Sequence, residues 1–121
     1  MKKSIISYGL YVPFLRITKD EYLNAIGSCS AEIKEKAVMD IDEDVITMAV
    51  EAGRDAVRDI DISQIGVLTL ASTNFPYREK VMAGTVVEAL GLNADILTSQ
   101  HGGSTLAGTE ALLSAGGLLE Y

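Results

Sequence analysis

Cysteine and histidine each occur once in the 121 residues, and proline only twice. A single cysteine excludes an internal disulfide, which fits a reducing compartment and sets the expectation of a cytoplasmic protein. Cys29 and His101 are too few and too far apart in sequence for a His/Cys metal centre. The acidic cluster Asp40, Asp42, Glu43 and Asp44 lacks the glycine and terminal glutamate of a calcium loop, so it reads as a charged helix N-terminus and no metal is expected. Basic residues are scarce, 10 against 17 acidic, for a net charge of −7. The acidic residues are spread along the chain, which argues against a nucleic-acid surface. No apolar run approaches the ~18 residues of a membrane span. The opening "MKKSIISYGLYVPF" is interrupted by Gly9 and Pro13 and has no clear cleavage site, so neither a signal peptide nor a membrane partner is expected. No G-x-G-x-x-G fingerprint occurs. Gly103 and Gly108 have phosphate-loop spacing but are followed by Thr109-Glu110 instead of Lys-Ser/Thr, which excludes that loop. No cofactor is expected, although a helix N-terminus leaves an anionic ligand such as a CoA ester open.

What is present reads as one small α/β domain over 1–121. "SIISYGLYVP" (4–13) has strand composition and stops at Pro13. "TKDEYLNAIG" (18–27) carries Thr18 and Glu21 at capping-box spacing and closes on Gly27, which predicts a short helix. Residues 28–42 read as irregular, with a few extended residues around "EKAVM". The clearest helix is 42–60, where Val45, Met48, Ala49, Ala52, Ala56 and Val57 follow helical spacing. "IGVLTLAS" (65–72) is a continuous apolar run, the mark of a strand buried on both faces. A loop (73–80), a helix (81–91), a strand (94–99) and a last helix (104–119) follow. The order β-α-α-β-α-β-α predicts a mainly parallel sheet with packed helices. The apolar end "LLSAGGLLEY" predicts a surface that needs cover from another copy, another chain or a longer parent.

In such a sheet functional residues collect at the carboxyl ends of strands, here in 72–80 and 99–104. The turn "HGGS" leads into the last helix at Thr105. Free backbone N–H groups and a helix dipole there would stabilise a thiolate, but a threonine hydroxyl titrates several units higher and stays protonated. A threonine nucleophile needs a strong base, and only His101 or a base from another chain could serve. The plain alternative is a helix-capping threonine. Cys29, in "GSCSAE", has no evident activating partner.

"ISYGLYVPFLRI", "DEDVITMAVEAGRDAV", "STNFPYREK", "VVEALGL" and "AGTEALLSA" run in the order found in hydroxymethylglutaryl-CoA synthases of the archaeal and bacterial type. The chain resembles the N-terminal portion of that family, within the thiolase superfamily. The resemblance implies a partial thiolase-like domain over 1–121, a β-α-α-β-α-β-α half-domain. Aligned on "AGTEAL", the family's acyl-accepting cysteine position is Thr105, preceded by Gly103 and Ser104, which would contact substrate. Placed on "FPY", the family's acid/base glutamate position is Thr73, with Glu79 nearby but offset.

The resemblance therefore implies an acyl-CoA condensing subunit or fragment that is inactive alone. It also implies a homo- or hetero-oligomer, with a complementary chain or an active paralogue, and in the archaeal branch an assembly with a thiolase and a small OB-fold protein. Two alternatives stay open from the residues: a non-catalytic module binding a CoA ester or a protein, and an acyltransferase using Thr105 or Cys29.

Overall fold

In the computed structural model, which describes residues 2–120, the chain runs β1 (Leu15–Thr18), α1 (Lys19–Ile26), β2 (Glu35–Val38), α2 (Val45–Ala56), a 3-10 turn (Ile62–Gln64), β3 (Val67–Ser72), α3 (Ala83–Ala89), β4 (Leu97–Gly102) and α4 (Ala107–Leu118). Met1 and Tyr121, the two ends of the expected 1–121 domain, lie outside the described residues. The strands form two small sheets. β1 pairs antiparallel with β2, Leu15 opposite Val38 and Thr18 opposite Glu35. β3 pairs parallel with β4, from Val67 opposite Leu97 to Ser72 opposite Gly102, and α3 lies in the crossover between them. The parallel pairing predicted for the second half is present. The first half contributes a separate antiparallel pair that the single expected sheet did not contain.

Local signals placed α1 well. Thr18 caps it, the Glu21 carboxylate returns to the Thr18 N–H, and Gly27 closes it at φ +85°. α2 is shorter than 42–60. Asp44 accepts hydrogen bonds from the Ile46 and Thr47 N–H groups, which sets the start at Val45, and Asp40 and Glu43 cap the preceding turn.

Four expectations need correction. Residues 4–13 are not a strand, because no neighbouring strand forms a ladder with them. The segment lies along α2 instead: the Ser7 hydroxyl donates to the Ala56 carbonyl at 2.5 Å and the Leu10 N–H to Asp55 at 3.3 Å. The strand placed at 94–99 is shifted toward the C-terminus, running to Gly102 through "LTSQHG", because pairing with β3 selects the register. Consequently α4 starts at Ala107 and not at 104. β3 is also less enclosed than its apolar run suggests, with Leu70 its one buried residue.

The core gathers Ile46 and Val50 of α2, Leu70 of β3, and Met82, Ala83 and Val86 at α3, with Phe75 and Leu90 packed against it. α4 lays Ala107 and Ala111 on the parallel pair. This arrangement fixes the carboxyl ends of β3 and β4 side by side.

Candidate functional site

β3 and β4 end together, at the Ser72–Gly102 pair. Beyond that pair two loops leave the sheet at the same level: 73–80, toward α3, and 103–106, toward α4. At Gly102 a Cβ would lie 3.0 Å from Phe75 Cε2 and 3.1 Å from Cδ2, a tight approach that the ring would have to relieve. Gly103 follows at φ +74°, a left-handed conformation that side chains disfavour. The Ser104 hydroxyl then accepts from the Leu106 N–H at 3.0 Å, and its carbonyl accepts from the Ala107 N–H at 3.2 Å.

These contacts correct the reading of Thr105 as the helix-capping residue. Leu106 stands at the N-cap with no side-chain cap, Ser104 bonds within the preceding turn, and Thr105 is exposed in that turn two residues before α4. Thr73 is exposed immediately after β3. Its neighbour Ser72 folds the loop back, donating its hydroxyl to the Asn74 carbonyl at 2.9 Å while accepting the Asn74 N–H at 3.2 Å. Glu79 is exposed farther along that loop. The topology thus brings the loops carrying Thr73 and Thr105 to one sheet end.

His101 is not in a loop. It is half-buried on β4, beside Ala71, and its Nε2 lies 3.4 Å from the Ser99 hydroxyl. Cys29 belongs elsewhere. Its thiol is half-buried in a cleft of about 690 Å³ between α1 and the loop that follows it, walled by Ile17, Tyr22, Ile26 and Ile33 with Lys36 at the edge. Its Sγ lies 3.7 Å from the Ala31 carbonyl. Sequence reasoning missed this cleft. The i, i+4 pair Tyr22 and Ile26 on α1 was the available signal.

A second missed residue is Gln100, whose side-chain carbonyl accepts the Met82 N–H at 2.7 Å and ties the start of α3 to β4. Among the described residues no group of three or more His, Cys, Asp and Glu side chains could hold a metal ion. No helix among them is long and apolar enough to cross a membrane.

Between them, the two loops present hydroxyls, a positive-φ glycine and a helix N-terminus, with neither a thiol nor a carboxylate at Thr105 or Thr73.

No family model matches the chain. Curated relatives do. It is 38% identical to the hydroxymethylglutaryl-CoA synthase of Pyrococcus furiosus over 97% of the chain and 35% of that protein. The synthase of Pyrobaculum arsenaticum is 36% identical over 99% of the chain and 37% of that protein. Among solved structures, a β-ketoacyl-[acyl carrier protein] synthase III from Thermus thermophilus superposes with a TM-score of 0.83 at 21% identity, over 98% of this chain and 39% of its own. An OleA variant from Xanthomonas campestris, solved with bound lauric acid and lauroyl-CoA, gives 0.82 at 24% identity, over 97% and 39%. The chain spans about a third of the length of the curated relatives it matches. By sequence it is a relative of the hydroxymethylglutaryl-CoA synthases, and its fold is that of the thiolase-like condensing enzymes.

Proposed function

We propose that the chain is a condensing-enzyme subunit of the hydroxymethylglutaryl-CoA synthase type that forms one wall of an acyl-CoA site and carries out no turnover by itself. Thr105 stands at the acyl-accepting position and Thr73 at the acid/base position. Gly103 and Ser104 shape the turn that receives the acyl group. The observation that supports this reading is the Ser72–Gly102 pair, which delivers both positions to one end of the parallel strands.

A hydroxyl at a helix N-terminus stays protonated at neutral pH, whereas a thiol in the same place is driven toward thiolate. Replacing a nucleophile alone removes nearly all turnover in an enzyme that depends on it. The His101 Nε2 lies 3.4 Å from the hydroxyl of Ser99, on its own strand. The chain acts with a complementary polypeptide of the same fold, in a reducing cytoplasm that keeps Cys29 free.

The test is intact-mass analysis of the folded chain after exposure to acetyl-CoA, beside a binding titration with the same ester. The expected result is saturable binding with no mass increase, and no condensation with acetoacetyl-CoA. An acetyl adduct mapped to Thr105 would overturn the reading and make the chain an acyltransferase in its own right. An adduct at Cys29 would move the chemistry to the α1 cleft.

A further inference from the structure

We propose that Gln100 is a positioning residue of the acyl-CoA site. Its side-chain carbonyl holds the far end of loop 73–80 on β4, and so keeps Thr73 beside the turn that carries Thr105. The inference rests on the reading just given and names the contact on which its geometry depends.

Gln100 stands opposite Leu70 in the parallel ladder and reaches Met82, so its side chain lies on the core-facing side of β4. An apolar residue would ordinarily fill such a position. What the amide supplies is an acceptor, to the Met82 N–H at 2.7 Å. Met82 is 5% exposed, and a secluded N–H needs a partner within the protein.

The other two caps show that a helix can meet this need by itself. Glu21 of α1 accepts the Thr18 N–H at 2.8 Å, and Thr47 of α2 accepts the Asp44 N–H at 2.8 Å. Each acceptor lies three residues into its own helix, as in any capping box. α3 has Thr85 at that place, yet the Met82 N–H is joined to Gln100, 18 residues on and in a strand. A local acceptor fixes a helix alone. Gln100 fixes the start of α3 to the sheet.

Alternate residues share a face of a strand, so Gln100 and Gly102 lie on the same side of β4. The Phe75 ring packs over Gly102. The loop is therefore held at two points of one strand, near its beginning by Phe75 and past its end by Met82. Turn 103–106 leaves that strand directly after Gly102. One strand thus places both loops, and the Gln100 bond is the polar half of the clamp. A loop freed at one end spends part of its time out of place, and affinity falls with the fraction that is competent.

The test places spin labels at Thr73→Cys and Thr105→Cys in a Cys29→Ser background and measures the distance between them by pulsed electron resonance. We expect a narrow distribution in this parent, a broad one in Gln100→Leu, and a narrow one again in Gln100→Glu, which keeps the acceptor. Gln64→Leu, at an exposed position in the 3-10 turn, is the control and should change nothing. Hydrogen exchange at the Met82 amide should accelerate by about tenfold or more in Gln100→Leu, with α2 unchanged. In the unlabelled chain the same variant should weaken acetyl-CoA binding by about tenfold. A narrow distribution in Gln100→Leu overturns the proposal, and so does a distribution in Gln100→Glu as broad as in Gln100→Leu. If Gln100→Leu does not fold, exchange in the unmodified chain decides. Met82 protection above that of residues 76–80, retained in Gln100→Glu, supports the role, and protection no greater than theirs overturns it. An unmodified chain that binds no acetyl-CoA overturns instead the acyl-CoA reading, while distance and exchange still decide whether Gln100 places the two loops.

Discussion

Ser72 of β3 and Gly102 of β4 face each other in the last register pair of the parallel ladder, so both strands end at one level. The Phe75 ring packs over Gly102 from the loop that Ser72 begins, and this contact links the two loops of the site. A methyl at Gly102 would lie 3.0 Å from the ring. The ring can swing, because it is a side chain. Gly102→Ala should therefore cost about 1 kcal/mol of stability and release loop 73–80. Hydrogen exchange should accelerate across 73–80 and not in α2. Unchanged exchange in that loop would show that Phe75 is not what holds it.

Gly9 makes a closer approach. A Cβ there would run into the Ala52 carbonyl and the Ala56 backbone of α2, and neither can rotate away. Gly9→Ala should detach the N-terminal segment from α2 and destabilise the chain by about 1–3 kcal/mol, the usual cost of overpacking. Gly66→Ala is the control, since its added methyl meets nothing within 4 Å. Urea denaturation followed by circular dichroism compares them. Equal midpoints would mean that the segment does not depend on this contact.

How far the sequence predicts this structure depends on how local each signal is. The Thr18, Glu21 and Gly27 pattern sets α1 with its own hydrogen bonds, and the helix lies where those residues put it. β4 is different. Its last residues "QHG" are polar or small and read as a turn, but the parallel ladder with β3 extends the strand through them. Strand preference reflects the partner as much as the residue, and the segment 4–13 makes the converse point. Its β-branched and aromatic residues favour a strand, yet no strand pairs with them. The shift of β4 also moves the start of α4, so Thr105 falls in the turn, where the Ser104 hydroxyl accepts the Leu106 N–H. Position after a strand was legible; the hydrogen bonds that divide roles within the turn were not.

The capping box makes helix α1 sensitive to acid. The Glu21 carboxylate accepts the Thr18 N–H at 2.8 Å, the larger effect, and the Thr18 hydroxyl at 2.8 Å, and together they hold its pKa below the usual carboxylate value. A depressed folded pKa means that the stabilisation is complete above the unfolded value of about 4.3. It disappears as pH falls through the lower folded value. Glu21→Gln should flatten that part of the stability profile. Thr18→Ala should remove about 1 kcal/mol at neutral pH, as the loss of an N-cap does. Thermal midpoints between pH 3 and 7 read both effects. An acid limb that persists in Glu21→Gln would belong to other carboxylates.

Thr105 and Thr73 are both exposed hydroxyls at one sheet end, but only Thr105 adjoins a helix N-terminus. That difference can be measured with thiols. In a Cys29→Ser background, Thr105→Cys should titrate below the ordinary thiol value of about 8.5, because the positive end of α4 favours thiolate. Thr73→Cys follows a strand and leads into a loop, so it should titrate near that ordinary value. Alkylation rates across pH give both midpoints directly. Thr105→Cys should also gain one acetyl group from acetyl-CoA more readily than Thr73→Cys, while the threonine chain gains none. If the two cysteines titrate alike, the turn 103–106 supplies no electrostatic activation, and its part in an acyl site is confined to shape. If Thr105→Cys alone is acidic and acylated, the turn is prepared for a thiolate, and threonine is the reason that the chain does not acylate itself.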